Sequence, residues 1–181
     1  MRWHDGQPFT AKDVEFTYQT IMNPKVAVRS RSGFDLIESL NVIDDENIEI
    51  QLSKPYTPFL WAWQEMHIVP KHVLESEADI NTSNFNSAPV GTGPFKFKSR
   101  VAGSHIVFSR NDDYHRGPAK VETIIQKVVP DVQVLYGQVK TGEVDYMITS
   151  LPFDRWGEAA KLPDRTFYEL PLPWVQFIYF N

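Results

Sequence analysis

The chain divides at Gly91-Thr92-Gly93-Pro94-Phe95, where two glycines stand next to a proline. This combination allows backbone dihedrals that most other residues cannot adopt. Before the stretch, the sequence predicts a helix, a hairpin and an aromatic loop. After it, the sequence predicts strands around one helix. We therefore predict a joint between two pieces of the chain here, although such a stretch taken alone is usually just a turn.

The first segment contains the signals of one amphipathic helix. Thr10 is a good N-cap, and Asp13 completes a capping-box pattern three residues later. Asn23-Pro24 ends the helix, because proline disfavours the helical conformation of the residue before it. The polar residues 25–35 predict a surface loop. A hairpin follows, with strands near 37–44 and 47–53. The helix has one apolar stripe, formed by Val14, Tyr18 and Ile21.

The second segment alternates strands with helices. Asp131 can cap a helix that runs to Lys140, and Gly142 is placed as its C-cap. This order of elements predicts an α/β lobe with at least one parallel pair of strands. Strands are predicted at 95–98, 106–108, 121–129 (buried), 144–148, 165–170 and 174–180, with a short helix at 153–161.

Composition excludes several classes of function. The net charge of −5 gives no electrostatic basis for binding nucleic acid or an anionic membrane. The chain has no cysteine, so it can form neither a disulfide framework nor a thiolate metal site. It also lacks the run of about 18 apolar residues that a membrane-spanning helix needs.

Six short motifs stand in a fixed order along the chain. They are Trp3-His4-Asp5-Gly6, Phe9-Thr10-Ala11-Lys12-Asp13-Val14, Pro70-Lys71-His72-Val73, Gly91 to Phe95, Asn111-Asp112-Asp113-Tyr114 and Gly142-Glu143-Val144-Asp145. In this order and at these spacings, the set resembles the family 5 extracellular solute-binding proteins. These proteins are the peptide- and nickel-type receptors of ABC importers. The resemblance runs from Trp3 to Asn181, which is essentially the whole chain.

The resemblance implies a mixed α/β (α+β) fold of the periplasmic-binding-protein-like type II. The fold would be partial, with a small extra lobe at residues 1–88 and part of the first α/β lobe at residues 89–181. Members of the family are several times longer, so we expect an internal piece of a longer protein, with Met1 an added start. Truncated sheet edges would favour a dimer or a domain swap.

The resemblance also implies a function. The full-length protein would bind oligopeptides or dipeptides between its lobes by hinge closure and deliver them to a membrane permease. It would be periplasmic or extracellular and membrane-associated, without a cofactor or an enzymatic activity. Sugars, opines and metal chelates remain alternatives to peptide. The opposing lobe is absent, so we expect this chain alone to bind peptides weakly or not at all.

Aromatic side chains are concentrated around Trp61-Ala62-Trp63. On an extended strand the two indoles share one side, whereas on a helix they point about 160° apart. In the helical case one indole can face a ligand cleft while the other packs in a core. The resemblance places the loop at 64–67 beside the cleft. Nickel-type members are expected to carry an arginine in that loop, and this chain has none.

The resemblance also brings the final strand, which ends in an asparagine, to the floor of the cleft. Alternation then places Tyr179 and Asn181 on one face of this strand. Alternatively, Tyr179 packs within the sheet and Asn181 belongs to a turn. The predicted ligand-binding residues are Trp61, Trp63, Met66, His67, Trp174, Tyr179 and Asn181.

Two rival functions come from other classes. A metal-dependent hydrolase could use His67 and His72 with nearby carboxylates. However, the i, i+5 spacing does not place both histidines on one helical face, and no His-Glu-x-x-His pattern exists. A protein-interaction module could instead use the tryptophan-rich loop as a docking patch.

Overall fold

The computed structural model describes residues 1–148, 151, 153–163 and 166. The chain forms two compact units, Met1–Lys127 and a second that begins at Val128. Residues 89–127 thus belong to the same compact unit as residues 1–88. The predicted boundary near residue 88 concerns the lobes of a longer protein, and it stays a prediction.

The first helix, α1 (Ala11–Met22), begins and ends where the sequence predicts. The Thr10 N–H donates to Asp13 Oδ2 at 2.8 Å, which satisfies an amide at the helix start. Asn23 is the C-cap, directly before Pro24. The helix buries the side chain of Ile21, one of the residues of the predicted apolar stripe.

The Asp13 carboxylate joins three segments that are distant in sequence. It is only 4% exposed. Besides the Thr10 N–H, it accepts hydrogen bonds from Trp3 Nε1 at 3.3 Å and from the Lys71 N–H at 2.9 Å. A buried carboxylate needs such partners to offset its lost hydration. Asp13 therefore holds the first turn, α1 and the Pro70-Lys71 segment together.

The hairpin and its neighbours enclose the core of the first unit. Strands β1 (Ile37–Val42) and β2 (Ile48–Leu52) pair antiparallel, as predicted. The helices α2 (Phe59–Glu65) and α3 (Lys71–Leu74) follow the hairpin. Ile21, Phe34 and Ile37 are buried together, and partly buried side chains from α1, both strands and α2 pack against them.

A three-stranded antiparallel sheet completes this unit. It consists of β3 (Phe95–Val101), β4 (His105–Arg110) and β5 (Thr123–Lys127), in that spatial order. The prediction that the last of these strands is buried was wrong. Every residue of β5 is exposed, because pairing with β4 covers the backbone along one edge and leaves the side chains on the two faces of the sheet uncovered. The apolar pattern around Ile124 and Ile125 thus indicated a strand correctly but not its environment.

The second unit contains α4 (Val132–Thr141) and α5 (Phe153–Ala159). Asp131 accepts from the N–H groups of Gln133 and Val134 at 2.7 and 3.0 Å, and Gly142 ends α4 at φ +79°. Both caps were predicted. The predicted strand at 144–148 does not form, because no strand in the described part of the chain pairs with it.

The described residues also contain no parallel pair of strands, contrary to the prediction. All strand pairs there are antiparallel. The strands predicted at 165–170 and 174–180 lie outside the described residues, apart from residue 166.

Candidate functional site

A groove of about 240 Å³ opens between α2, the loop before β1 and the segment after β2. Both the core-facing Phe34 and the exposed Trp61 contribute to it. Its apolar lining includes Phe34, Tyr56, Trp61 and Met66. Its polar lining consists of Arg29, Ser30, Ser32 and Glu65. This mixture of aromatic walls with a few polar groups is typical of small-molecule sites.

The helical form of α2 explains how the two neighbouring tryptophans separate. Trp61 lines the groove and is 64% exposed. Trp63 turns to the core instead, with its ring centroid 4.9 Å from that of Phe34 in an edge-to-face contact. Its Nε1 is buried without a hydrogen-bond partner in the described part of the molecule. Of the two alternatives that the sequence left open, the structure shows the helical one.

Arg31 fixes the loop that carries the polar side of the groove. Its Nε donates to the Ile21 carbonyl at 2.8 Å, and one terminal nitrogen donates to the carbonyls of Asn23 and Val26 at 2.9 and 2.8 Å. The carbonyls of Ile21 and Asn23 belong to the end of α1, where backbone acceptors lack helical partners. Arg31 thereby ties residues 25–35 to the helix.

Gly33 lets this loop approach the opposite wall. Its φ is +88°, which side chains rarely adopt. A β-carbon at this position would lie 3.1 Å from Tyr56 Cε1 and 3.2 Å from Ala62 Cβ. Glycine is therefore required both by the backbone conformation and by the narrow gap.

Arg29 and Glu65 are the two charged residues of the lining. Their closest approach is 3.5 Å, between one guanidinium nitrogen and Glu65 Oε2. The side chains are 79% and 51% exposed, so this pair contributes little to stability. A ligand can therefore replace either partner of this ion pair with only a small loss of free energy.

The predicted ligand-binding residues fall into three sets. Trp61 and Met66 line the groove. Trp63 belongs to the core, and His67 is exposed but does not line the groove. Trp174, Tyr179 and Asn181 lie outside the described residues.

Sequence reasoning missed Arg29, Tyr56 and the serines of the groove. The segment 25–35 was expected to be only a surface loop, yet Arg29, Ser30 and Ser32 of this segment line the groove. Gly33, within this loop, was the available signal. A glycine between polar residues can mark a close approach of the backbone to another element.

The predicted joint is held by His4 of the first turn. The Gly91 N–H donates to His4 Nδ1 at 3.1 Å, and His4 Nε2 lies 3.0 Å from the Gly93 carbonyl oxygen. One neutral tautomer makes both bonds. Burial of the ring is the main cause that lowers the pKa of His4 below 6.5, and Lys96 adds to this; the Gly93 bond and Asp5 oppose it.

The expectation of unusual dihedrals at this joint was wrong. Neither Gly91 nor Gly93 has a positive φ. A β-carbon at 91 would lie 3.3 Å from His4 Cε1, so the imidazole would have to move by a few tenths of an ångström to accept it. Gly93 has no neighbour within 4 Å of such a carbon, and nothing in the structure explains it.

His67 and His72, the histidines proposed for a hydrolase, belong to no cluster of potential metal ligands in the described part of the chain. His72 Nε2 lies 2.7 Å from Asp5 Oδ2 and connects α3 to the first turn. No group of three or more His, Asp or Glu side chains that could hold a metal exists among the described residues.

No helix in the same part of the chain has the length and hydrophobicity needed to cross a bilayer.

The family model for bacterial extracellular solute-binding proteins, family 5 Middle, matches residues 1–181. The oligopeptide-binding protein AppA of Bacillus subtilis is 31% identical over 150 residues, which are 81% of this chain and 28% of that protein. The structure of AppA in complex with a nonapeptide matches with a TM-score of 0.79 and 29% identity, over 90% of this chain and 32% of that one.

Two further structures have different ligands. NikZ from Campylobacter jejuni, in complex with Ni(L-His), has 35% identity and a TM-score of 0.74 over 79% of this chain and 29% of that one. AgaA from A. tumefaciens R10, in complex with agropinic acid, has 28% identity and a TM-score of 0.77 over 90% and 33%. These proteins confirm the predicted mixed α/β fold of the type II periplasmic binding proteins. The chain spans about 28% of the curated relatives that it matches.

Proposed function

The chain belongs to the bacterial extracellular solute-binding proteins of family 5, and from this we propose that it supplies one wall of the ligand cleft in the receptor of an ABC importer. The groove beside α2 carries this proposal. It combines exposed aromatic surface with an easily exchanged ion pair, and it lies next to the loop that the family resemblance assigns to the cleft.

Hinge closure would complete the site. A ligand that contacts two lobes only in the closed state shifts the equilibrium towards closure. The segment Gly91-Thr92-Gly93-Pro94 is proposed as the joint, and residues 1–88 and 89–181 as parts of two lobes. The receptor would act outside the cytoplasmic membrane, deliver its solute to a permease and perform no catalysis.

Peptide is the proposed solute class. AppA and other curated relatives carry names of peptide-binding proteins, which favours peptide over the opine and nickel chelate seen in the other two structures. A single wall makes only part of the contacts, so the chain alone should bind peptide weakly or not at all. Calorimetry that detects micromolar peptide binding to these residues would contradict this expectation.

A segment exchange tests the proposal directly. The part of AppA that aligns with this chain is replaced by the chain, and binding of a nonapeptide is measured by calorimetry. We expect a folded chimera that binds the peptide. A chimera that melts cooperatively but does not bind would overturn the proposal. If the whole exchange does not fold, exchange of the first compact unit, Met1–Lys127, provides the same test.

The docking-module alternative rests on the exposure of Leu60 and Trp61, which are 78% and 64% exposed. A chimera that binds no solute but retains a protein partner would favour this alternative.

A further inference from the structure

We propose that the groove is a subsite for an aromatic side chain whose own residue carries a free carboxylate, as at the C-terminus of a peptide. The inference rests on the proposed function and names the chemistry that the wall selects. The aromatic ring would lie against Trp61, and the carboxylate would bind Arg29.

The size of the groove sets how much of a ligand it can hold. Complete sites for small molecules usually measure about 300–1,000 Å³. The groove measures about 240 Å³, which is below that range. It therefore suits one side chain and its flanking backbone rather than a whole peptide.

The walls favour an aromatic side chain. Phe34 is 1% exposed and is held edge-to-face by Trp63, so it forms a fixed base for the groove. Trp61 presents a large exposed indole at the same groove, together with Tyr56. Aromatic rings gain contact energy beyond their buried area when they meet edge-to-face or with an offset.

The polar lining favours an anion. Arg29 has five N–H donors, and within the part of the chain that the structure describes a single long contact, with Glu65, uses one of them. Ser30 and Ser32 line the groove from the same loop, and each has a hydroxyl donor. The Ser30 oxygen already accepts from the Ser32 N–H at 3.1 Å, which leaves its hydroxyl hydrogen to donate. Of the described residues that line the groove, Glu65 is the only carboxylate, so donors outnumber anionic acceptors.

Arg29 can bind a carboxylate better than it binds Glu65. A guanidinium and a carboxylate form two parallel hydrogen bonds when their planes align. The observed contact between Arg29 and Glu65 is a single approach at 3.5 Å with both groups exposed. A ligand carboxylate that aligns with the guanidinium would therefore replace Glu65 as its partner.

The test is a titration of the 181-residue chain with small probes, followed through the indole N–H signals in NMR spectra. The Trp61 signal is identified by its loss in Trp61→Phe. N-Acetyl-L-phenylalanine should shift the Trp61 signal at about millimolar concentration. N-Acetyl-L-phenylalanine amide should bind about tenfold more weakly, the effect of one charge-assisted hydrogen bond. N-Acetylglycine, which has the carboxylate without the ring, should bind more weakly than either.

Matched variants separate the two contacts. Arg29→Gln should remove the preference for the acid over the amide, whereas Arg100→Gln, at an exposed arginine of β3, should keep it. Trp61→Ala removes the reporter signal, so for this variant and for Leu60→Ala binding is followed through the line widths of the probe's own NMR signals. Trp61→Ala should abolish the broadening of these signals, whereas Leu60→Ala, on the same helix but outside the lining, should keep it. All four side chains are exposed, and a thermal melt of each variant verifies that the fold is unchanged.

The source of the carboxylate is tested with two tripeptides. Gly-Gly-Phe carries the ring and the carboxylate on one residue, whereas Phe-Gly-Gly carries them on different residues. Only Gly-Gly-Phe should bind with the same affinity as N-acetyl-L-phenylalanine. Equal binding of acid and amide, equal binding of the two tripeptides, or no shift of Trp61 with any probe would overturn the proposal. An AppA chimera that binds peptide without any preference for a C-terminal aromatic residue would overturn the subsite while leaving the proposed function intact.

Discussion

The imidazole of His4 accepts a hydrogen bond from the backbone N–H of Gly91, at 3.1 Å across 87 positions of sequence. A second hydrogen bond joins the same two residues through the backbone: the His4 N–H donates to the Gly91 carbonyl at 2.8 Å. The first turn of the chain therefore holds the proposed joint through both side-chain and backbone bonds.

Acid should weaken this connection. The pKa of His4 is lowered in the folded protein, mainly by burial, so the unfolded chain binds more protons below its ordinary value of 6.5. Stability should therefore fall as the pH drops through that value. Protonation also places a hydrogen on Nδ1, facing the Gly91 N–H. Urea unfolding at about pH 8 and about pH 5 should show a smaller change in His4→Gln than in the parent chain. If the change in stability between the two pH values is the same in His4→Gln as in the parent chain, His4 is not the cause of the pH dependence.

The two glycines of the joint should respond differently to alanine. Gly91→Ala places a methyl group 3.3 Å from His4 Cε1, whereas Gly93→Ala meets nothing within 4 Å. Because neither glycine has a positive φ, the difference reports the contact with His4. We expect Gly91→Ala to cost about 1–2 kcal/mol of unfolding free energy more than Gly93→Ala. The excess should shrink in the His4→Ala background, as a double-mutant cycle would show.

Replacement of Asp13 should destabilise the first unit strongly. In Asp13→Asn, an amide NH₂ takes the place of one oxygen while three donors still point at the group. A loss of about 3 kcal/mol is expected for buried donors left without an acceptor. Asp45→Asn is the control, because its carboxylate is exposed and lies 3.6 Å from Lys12 Nζ in a surface pair. Similar losses in both variants would contradict the role of Asp13.

Gly33→Ala should both destabilise the chain and disturb the groove. Its positive φ alone costs about 1–3 kcal/mol in a residue with a β-carbon. Gly103, at φ +71° with nothing within 4 Å, pays only this conformational cost and serves as the matched control. The excess loss in Gly33→Ala measures the contact with Tyr56 and Ala62. If the two variants lose the same unfolding free energy, the contact of residue 33 with Tyr56 and Ala62 contributes nothing to the loss.

The exposed edge of the sheet should drive self-association. Among the described residues β5 pairs only with β4, and Ile124 and Ile125 are 39% and 59% exposed. Such an edge is a template for another strand. Light scattering should detect a dimer whose population rises with concentration, and Ile125→Lys should shift it towards monomer. A monomer across the whole concentration range would count against this prediction.

Local signals predicted the elements more reliably than their surroundings. The ends of α1 follow from Thr10, Asp13 and Pro24, because caps and proline act within a few residues. By contrast, the apolar pattern of β5 could not show whether another element packs on this strand, and every residue of β5 is exposed in the structure. Burial depends on what lies beside a strand, and that information is not local.

The candidate site was predictable only on one side. Trp61 and Met66 were found because aromatic concentration and family resemblance point to the same segment. Arg29 was not, because its position depends on three carbonyl bonds made by Arg31 and on the gap at Gly33. These contacts join segments that are separate in sequence, and each residue alone suggests only a polar loop.

The shared carboxylate of Asp13 has a consequence for biosynthesis. Its third hydrogen-bond donor, the Lys71 amide, lies 58 residues further along the chain. At a translation rate of about 5–20 residues per second, the ribosome needs roughly 3–12 s to add that stretch. During this interval the aspartate can be satisfied only by its near neighbours and water. The hydrogen bonds of the Asp13 carboxylate in α1 can therefore be complete only after the Pro70-Lys71 segment has been made.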